Sequence, residues 1–400
     1  MNRFSRKIYS LAGLLRILAR EVWNALRSLL MGRRDEGRDH ARFALQALHE
    51  DLAAFAGLRH SGSPLPAPQQ THRILIVKLD RIGDMVNTTP VFDIIKQRYP
   101  NATIDIVGHP AVLSLLDEDP RLSTRYAYKS PLYHDGALRL PGLEDWRIIR
   151  KLWMLRYPLI IYLRGSFPFL LLALRSRFIP CHFTEGEPVL QRYLKPLGVS
   201  FESGATTPAT FLHISSASRA AFLKKYPRKQ TTPLVVIHAI SGAEGKQWPL
   251  DRFARVADYL SEHAHAQVLF LAAHSEEQKM SELTKLFRQS HSVETGLPLT
   301  QVIAAIAEAD VFIGNDSGLA HIAAAVRTKE VVIWGAANLN MARPEARPDQ
   351  CTILYHDVPC RSGCPEIRCT AQNKIECLVA TNVADVVSAT LRHLQLSEQA

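Results

Sequence analysis

Short apolar runs alternate with longer amphipathic segments over most of the 400-residue chain. Runs of this length are typical of buried parallel strands, and the segments between them carry apolar residues at helical spacing. The predicted strands cover residues 74–79, 102–108, 159–163, 233–240, 267–273, 310–315 and 330–336. The alternation predicts an α/β fold with two doubly wound units, residues 71–215 and 216–400, and a cleft at the carboxyl ends of both sheets.

The first 70 residues follow a different pattern. Between residues 8 and 30, apolar side chains recur every three or four positions and form one helical stripe. The stripe consists of Leu11, Leu14, Leu15, Leu18, Val22, Trp23, Leu26, Leu29 and Leu30. Arg16, Arg20 and Glu21 within the segment argue against a transmembrane helix. We predict that residues 1–70 form a basic amphipathic helical extension ending in a linker rich in proline and serine.

Charge is concentrated in the same extension. The chain has 48 lysines and arginines against 38 aspartates and glutamates, a formal net charge of +10. Residues 1–34 contain eight basic residues and one acidic residue, so they carry +7 of this excess. The weakly charged remainder argues against a nucleic-acid partner. Residues 1–34 either lie in the interface of an anionic membrane or pack on the protein's own body, and their charge favours the membrane.

Cysteine usage indicates a reducing compartment. Charged residues interrupt every apolar stretch before residue 70, so we expect no cleavable signal peptide and a cytoplasmic protein.

Four cysteines near the C-terminus could bind zinc or an iron–sulfur cluster, form disulfides or remain reduced. They are Cys360, Cys364, Cys369 and Cys377. Because the paired C-x2-C knuckles of zinc sites are missing, reduced thiols without a metal are the favoured interpretation.

The most informative motif is DVFIGNDSGLAHIAAAV, at residues 310–326. A strand is predicted to end at Asn315, and a helix to begin near Leu319 after an Asp-Ser-Gly turn. The unpaired amides of a helix start, together with a hydroxyl and a glycine, can bind a phosphate. Asp316 or Ser317 could instead only cap the helix. His321, one turn into the helix, either faces the cleft or is a structural histidine.

Two further loops follow predicted strands. HAISGAEGKQWP places Lys246 after a strand, where a compact positive charge can bind a phosphate, although the spacing is not that of a P-loop. KLDRIGDMVNTTP places Asp80 and Asp84 after the first strand, where a carboxylate can act as a general base. Gly83 stands without the other glycines of a dinucleotide fingerprint, which argues against a dinucleotide enzyme.

These three motifs, in this order, resemble those of glycosyltransferase family 9, the lipopolysaccharide heptosyltransferase family, over residues 73–380. The resemblance implies a GT-B fold, with the acceptor on the N-terminal and the sugar nucleotide on the C-terminal of two Rossmann-like domains. It implies that a heptose or related sugar is transferred from a nucleotide-diphosphate sugar with inversion, and without a metal or cofactor. ADP-heptose is the favoured donor. The acceptor would be the lipopolysaccharide core or another lipid-linked glycan at the inner face of a bacterial inner membrane.

Residue by residue, Asp84 matches the family's catalytic base, and Lys246 is expected to stabilise the leaving diphosphate. The positions matching the donor site are Ser241, Lys246, Asp316, Ser317, Gly318, Leu319 and His321, with Glu276 or Glu277 near the nucleoside. The first motif places Lys78, Arg81 and Gly83 on the acceptor side. The segment WGAANLNMARPEARP departs from the family's usual turn, which leaves the identity of the donor open.

Two other functions remain open from the sequence. One is a non-catalytic scaffold that binds a sugar nucleotide and is tethered through its N-terminal helix; turnover of a nucleotide sugar would exclude it. The other is a sugar-nucleotide epimerase, which the missing dinucleotide fingerprint disfavours.

Overall fold

The computed structural model describes residues 49–50, 52–57, 65–129, 142–181, 187–199, 201, 209–228, 231–361, 364, 369 and 375–396. The predicted amphipathic helix between residues 8 and 30 therefore lies outside the described residues. Residues 52–57 of the predicted extension are helical and pack on the body. His49 fixes the start of this segment, since its Nε2 lies 2.5 Å from the Tyr162 hydroxyl.

The first half of the body is built on a five-stranded parallel sheet with the order β3-β2-β1-β4-β5. The strands are β1 (Arg73–Lys78), β2 (Thr103–Gly108), β3 (Leu122–Ala127), β4 (Leu159–Arg164) and β5 (Arg177–Pro180). The helices are α1 (Ile82–Val86), α2 (Thr89–Arg98), α3 (Pro110–Leu113), α4 (Leu143–Leu155) and α5 (Val189–Leu194). Shorter 3-10 segments are Pro68–Gln70, Ser114–Leu116, Phe167–Leu174 and Lys195–Leu197. β1 lies at the centre because its RILIVK sequence tolerates burial on both faces.

The second half is built on a six-stranded parallel sheet with the order β11-β10-β9-β6-β7-β8. The strands are β6 (Leu234–His238), β7 (Gln267–Ala272), β8 (Ser292–Thr295), β9 (Val311–Asn315), β10 (Lys329–Ile333) and β11 (Cys351–Leu354). The helices are α6 (Ser216–Lys225), α7 (Leu250–His263), α8 (Glu277–Thr284), α9 (Leu299–Glu308), α10 (Gly318–Val326), α11 (Leu339–Ala342), α12 (Glu376–Val379) and α13 (Val383–Leu394). The 3-10 segments here are Glu244–Lys246, His274–Glu276 and Pro359–Arg361.

The α/β prediction is confirmed, and all seven predicted strands are present with ends shifted by up to three residues. Four strands that the sequence did not reveal are β3, β5, β8 and β11. β3 and β8 have half-exposed, mostly polar sequences, β11 is half-exposed, and β5, β8 and β11 have only four residues each. The boundary predicted between residues 215 and 216 stays a prediction; α6 follows it directly and packs against α9 of the second half.

The two halves meet where α1 and α10 pack against each other. α1 follows β1 and α10 follows β9, so the contact lies at the carboxyl ends of both central strands. Two glycines make the approach possible. A Cβ on Gly83 would lie 2.7 Å from the His321 ring, and a Cβ on Gly318 would lie 2.6 Å from Ile82. Side chains at either position would push the halves apart, so the glycines set the width of the cleft.

A buried acid in the second sheet gives a prediction for stability. Glu330 of β10 is fully buried beside Cys351 of β11, and burial raises the pKa of its carboxyl to about 8, with a smaller opposing effect from the neighbouring Cys351 thiol. The folded protein therefore holds a proton that the unfolded chain releases above about pH 4.5. Its contribution to stability is fully present below that pH and is lost as the pH rises through 8.

We therefore expect Glu330→Gln to unfold like the wild type at pH 5. At pH 8 it should gain on the order of 1–4 kcal/mol in free energy of unfolding, because it removes the need to protonate a buried acid. Urea unfolding at both pH values tests this, with the exposed Glu282→Gln as a matched control. A gain that is the same at both pH values would contradict the assignment.

Candidate active site

The first motif forms a buried charged cluster at the end of β1. The Lys78 ammonium lies 2.6 Å from Asp80 Oδ2, donates to the Tyr193 hydroxyl, and sits 4.3 Å from the centre of the Tyr193 ring. Asp80 is also within 3.5 Å of the Arg164 guanidinium. Lys78 has no exposed surface. Its ammonium contacts Asp80 and Tyr193 inside the domain, and its assignment to the acceptor side stays a prediction.

Asp84 lies in the first turn of α1 and is half-buried. The Tyr193 hydroxyl donates a hydrogen bond of 3.3 Å to Asp84 Oδ1. Burial, together with the negative charges of Asp84 and Asp80, raises the pKa of Tyr193 well above its usual value. Tyr193 therefore stays protonated and remains a donor to Asp84. Arg81, one residue before α1, is exposed, and Gly83 is buried against His321.

The second motif places Lys246 across the cleft. Lys246 Nζ lies 2.7 Å from Asp316 Oδ2, with a quarter of the lysine side chain exposed and Asp316 almost fully buried. Asp316 opens the turn between β9 and α10, so this ion pair joins the second and third motifs. A partly exposed ammonium held by one carboxylate can still approach an anion in the cleft.

Polar side chains fix the loop that carries Lys246. Asn315, at the end of β9, accepts a 3.0 Å hydrogen bond from the Trp248 amide and donates one of 3.0 Å to the Ala239 carbonyl. Gln247 accepts a 2.7 Å bond from the Ser241 amide and also donates to the Ala239 carbonyl. The loop between β6 and α7 is therefore held in one conformation by the strand end beside it.

His238, the last residue of β6, connects Ser317 to Glu276. Its Nδ1 lies 3.4 Å from the Ser317 hydroxyl and its Nε2 lies 3.5 Å from Glu276 Oε2. Burial favours the neutral form of Glu276, but hydrogen bonds from His238 and the Ala273 amide, together with the charge of Lys279, outweigh it and lower the pKa of the carboxyl. Glu277 is exposed and lies 3.6 Å from His274. Of the two glutamates, only Glu276 is joined to the third motif.

His321 stands between the two halves, against Gly83 on one side and near Asp316 on the other. Burial lowers the pKa of its imidazole, while the charges of Asp316 and Asp84 oppose the shift. The ring is therefore neutral at neutral pH. Ser317 precedes α10 in an extended conformation and makes no capping bond with its side chain. The amides at the start of α10, including those of Gly318 and Leu319, thus lack a side-chain partner from Ser317.

Residues 170–370 match the family model of glycosyltransferase family 9 (heptosyltransferase). This chain belongs to glycosyltransferase family 9. Among its curated relatives is lipooligosaccharide heptosyltransferase 2 of Haemophilus influenzae, 27% identical over 317 residues, which cover 70% of this chain and 88% of the relative.

Two solved structures resemble the whole body of this family 9 glycosyltransferase. A family 9 glycosyltransferase from Veillonella parvula aligns with a TM-score of 0.67 and 18% identity, over 81% of this chain and 97% of that one. The E. coli ADP-heptose LPS heptosyltransferase II aligns with a TM-score of 0.64 and 17% identity, over 81% and 98%. The predicted GT-B fold of two Rossmann-like domains is thereby confirmed.

In this family 9 enzyme, most of the predicted site residues come together around the contact between α1 and α10. Asp84 and Gly83 approach it from the first half, and Lys246, Asp316, Ser317 and His321 from the second. The sequence did not single out Tyr193, His238, Asn315 or Gln247. His238 and Asn315 could have been found as polar residues at strand ends, and Gln247 as a polar neighbour of Lys246 in the second motif. Tyr193 lies 109 residues from Asp84 and has no local signal.

Three features that the sequence raised are absent among the residues that the structure describes. Within the described part of the chain, no group of three or more histidine, cysteine or acidic residues is arranged to hold a metal ion. The described residues include all six cysteines, and no disulfide joins them. Among the same residues, no helix combines the length and apolar character needed to cross a membrane.

Proposed function

We propose that this enzyme transfers heptose from ADP-heptose to the lipopolysaccharide core or another lipid-linked acceptor, with inversion and without a metal. The observation that carries the proposal is the juxtaposition of Asp84 with the Lys246–Asp316 pair across the contact between α1 and α10. The names of the relatives support the substrates: one is a lipooligosaccharide heptosyltransferase and another an ADP-heptose heptosyltransferase.

In the proposed reaction, Asp84 takes the proton of an acceptor hydroxyl. The acceptor oxygen then forms a bond to the anomeric carbon on the face opposite the diphosphate. The bond from that carbon to the phosphate oxygen breaks, and ADP leaves with its electron pair. Lys246 and the amides at the start of α10 stabilise the negative charge on the departing diphosphate. Asp316 holds Lys246 in place before the donor binds.

The remaining residues of the site divide between donor and acceptor. We assign Ser241, Ser317, Gly318 and Leu319 to the diphosphate, since hydroxyls and helix-start amides suit phosphate oxygens. Glu276, whose carboxylate is kept ionised beside His238, is assigned to the ribose hydroxyls of the nucleoside. His321 is assigned to the sugar or phosphate between the halves. On the acceptor side, the exposed Arg81 is the basic residue best placed to meet an anionic glycan.

The proposal includes a cytoplasmic location at the inner membrane. Residues 1–34 carry a net charge of +7 and an apolar helical stripe, which together suit an anionic membrane surface. A membrane attachment of this kind would hold the active site beside a lipid-linked acceptor.

Binding of free nucleotides tests the donor assignment. We expect ADP to raise the melting temperature of the enzyme more than UDP or GDP at the same concentration, because the site is proposed to select adenosine. ADP-heptose should stabilise it at least as well. Stabilisation by UDP or GDP, with none by ADP, would show that another nucleotide sugar is the donor.

Tyr193 is proposed as a positioning residue for Asp84. Tyr193→Phe removes the hydroxyl that donates to Asp84 while leaving the ring in place. We expect kcat to fall by about 3–10-fold, the effect of one hydrogen bond of about 1 kcal/mol, with the Kd for ADP unchanged. The melting temperature should fall as well, because the buried Lys78 ammonium loses the hydroxyl to which it donates.

The matched control for this prediction is Tyr162→Phe. Tyr162 is a buried tyrosine of the same domain whose hydroxyl contacts His49 rather than Asp84. If kcat is the same in Tyr193→Phe as in the wild type, or falls equally in both variants, Tyr193 has no specific action on the base.

A further inference from the structure

Large exposed apolar side chains are concentrated on one layer of the N-terminal domain. Ten such side chains occur among the described residues, and six of them lie in three elements: the 52–57 helix, α4 and the 3-10 segment Phe167–Leu174. These six are Phe55, Leu143, Trp146, Met154, Leu171 and Leu174. The exposure is large, 79% for Leu143 and 69% for Met154. Such a concentration marks an interaction surface rather than scattered apolar residues.

The three elements cover the same face of the first sheet. Their inner side chains belong to one core cluster with the strands: Ala53, Ile149, Leu152, Phe169, Leu172 and Ala173. The α4 helix and the 3-10 segment also touch on the outside, where the Arg175 guanidinium lies 4.9 Å from the Trp153 ring. On the other side of the 3-10 segment, the ring of Phe167 contacts that of His49, which precedes the 52–57 helix. The outer side chains of these neighbouring elements form the surface that we call the α4 face.

Along α4, the exposed residues follow helical spacing. Leu143, Arg147, Arg150 and Met154 are separated by four, three and four positions and form one outward stripe beside Trp146. The opposite side of the helix is buried. The outward stripe thus mixes apolar side chains with arginines, whereas the solvent-exposed side of an ordinary amphipathic helix is polar throughout.

The charge of this surface is mostly positive. Exposed basic residues of α4 and the adjoining chain are Arg147, Arg150, Lys151, Arg156 and Arg175, and the exposed acid on these elements is Glu144. A second copy of the chain would bring two positive surfaces together. Residues 1–34, at +7, would be repelled in the same way. An anionic lipid surface complements both the charge and the apolar side chains.

We propose that the α4 face docks the enzyme on an anionic lipid bilayer, with Trp146, Leu143 and Met154 entering the headgroup region and the arginines contacting lipid phosphates. The α4 face belongs to the described body of the protein and does not include residues 1–34. The inference goes beyond the proposed function. It rests on that function only for the purpose of membrane binding, which is to bring a lipid-linked acceptor to the cleft.

Partition of the full-length chain to vesicles of phosphatidylcholine, with and without phosphatidylglycerol, tests the proposal. The variant Leu143→Ser/Trp146→Ser/Met154→Ser should bind the anionic vesicles about tenfold or more weakly than the wild type, because it removes the side chains that enter the headgroup region. The control Leu286→Ser/Tyr355→Ser/Leu396→Ser removes three exposed apolar side chains elsewhere and should bind as the wild type does. Equal binding by the two triple variants would overturn the proposal.

A second measurement reports directly on Trp146. Lipids brominated in the acyl chain should quench part of the tryptophan fluorescence of the wild type, and this part should disappear in Trp146→Phe. The comparison isolates Trp146 from the other four tryptophans, including Trp23 in the N-terminal segment. Identical quenching in both proteins would overturn the proposal. So would sedimentation showing that the triple variant at the α4 face dissociates a dimer, since the face would then join two copies. None of these readouts depends on sugar transfer.

Discussion

Asp84→Asn is expected to lower kcat by about 100-fold or more, the usual range for the loss of a general base. The substitution preserves the shape of the side chain and the oxygen that accepts from Tyr193, and it removes only the basicity. Binding of ADP should therefore stay within about twofold of the wild type, because the base acts on the acceptor hydroxyl and not on the diphosphate. Steady-state kinetics with a soluble acceptor analogue, together with calorimetry for ADP, measure the two effects separately.

The control for Asp84→Asn is Asp117→Asn, which makes the same chemical change at an exposed acid of the same domain. It should leave both kcat and ADP binding unchanged. Transfer by Asp84→Asn at the wild-type rate would show that another group takes the acceptor proton. Loss of ADP binding along with activity would instead indicate that Asp84 supports the structure of the cleft.

Lys246→Ala is expected to weaken ADP binding by about 1.5–3 kcal/mol, or about 10–150-fold, the range for a hydrogen bond to a charged group. The effect should fall at the upper end, since the substitution also leaves Asp316 without its ammonium partner and close to the diphosphate. Adenosine, which has no phosphate, should lose little affinity. Calorimetric titration with both ligands makes the comparison within one variant.

Lys285→Ala is the matched control for Lys246→Ala, because Lys285 is an exposed lysine of the same half of the chain. It should bind ADP and adenosine as the wild type does. Equal losses of ADP and adenosine affinity in Lys246→Ala would show that Lys246 supports the loop rather than the phosphate.

The central strands could be predicted from the sequence because burial on both faces demands an unbroken apolar run, as in β1 and β9. Edge strands such as β8 and β11 are half-exposed, so no apolar run marks them. The sequence also predicted three motif residues for the same reason, because each follows a central strand: Asp84, Lys246 and Asp316. Parallel strands bring their carboxyl ends to one edge, and the order of the strands then brings these loops together.

Contacts made across long stretches of chain could not be predicted. Tyr193 reaches Asp84 from a short helix whose sequence, VLQRYL, has no functional pattern. The sequence also did not reveal that Lys78 is buried, with Asp80 as its ion-pair partner and the Tyr193 ring against its ammonium. The sequence also could not distinguish Glu276 from Glu277, since the distinction depends on which side of the helix start faces His238.

The most direct test of the proposed function is to incubate the purified full-length enzyme with ADP-heptose and a lipopolysaccharide-core acceptor that has an unoccupied heptose position. We expect release of one ADP for each heptose transferred, in the presence of a chelator, with a product whose anomeric configuration by NMR is opposite to that of the donor. No turnover of ADP-heptose with an enzyme that binds ADP, or a product that retains the donor's configuration, would contradict it.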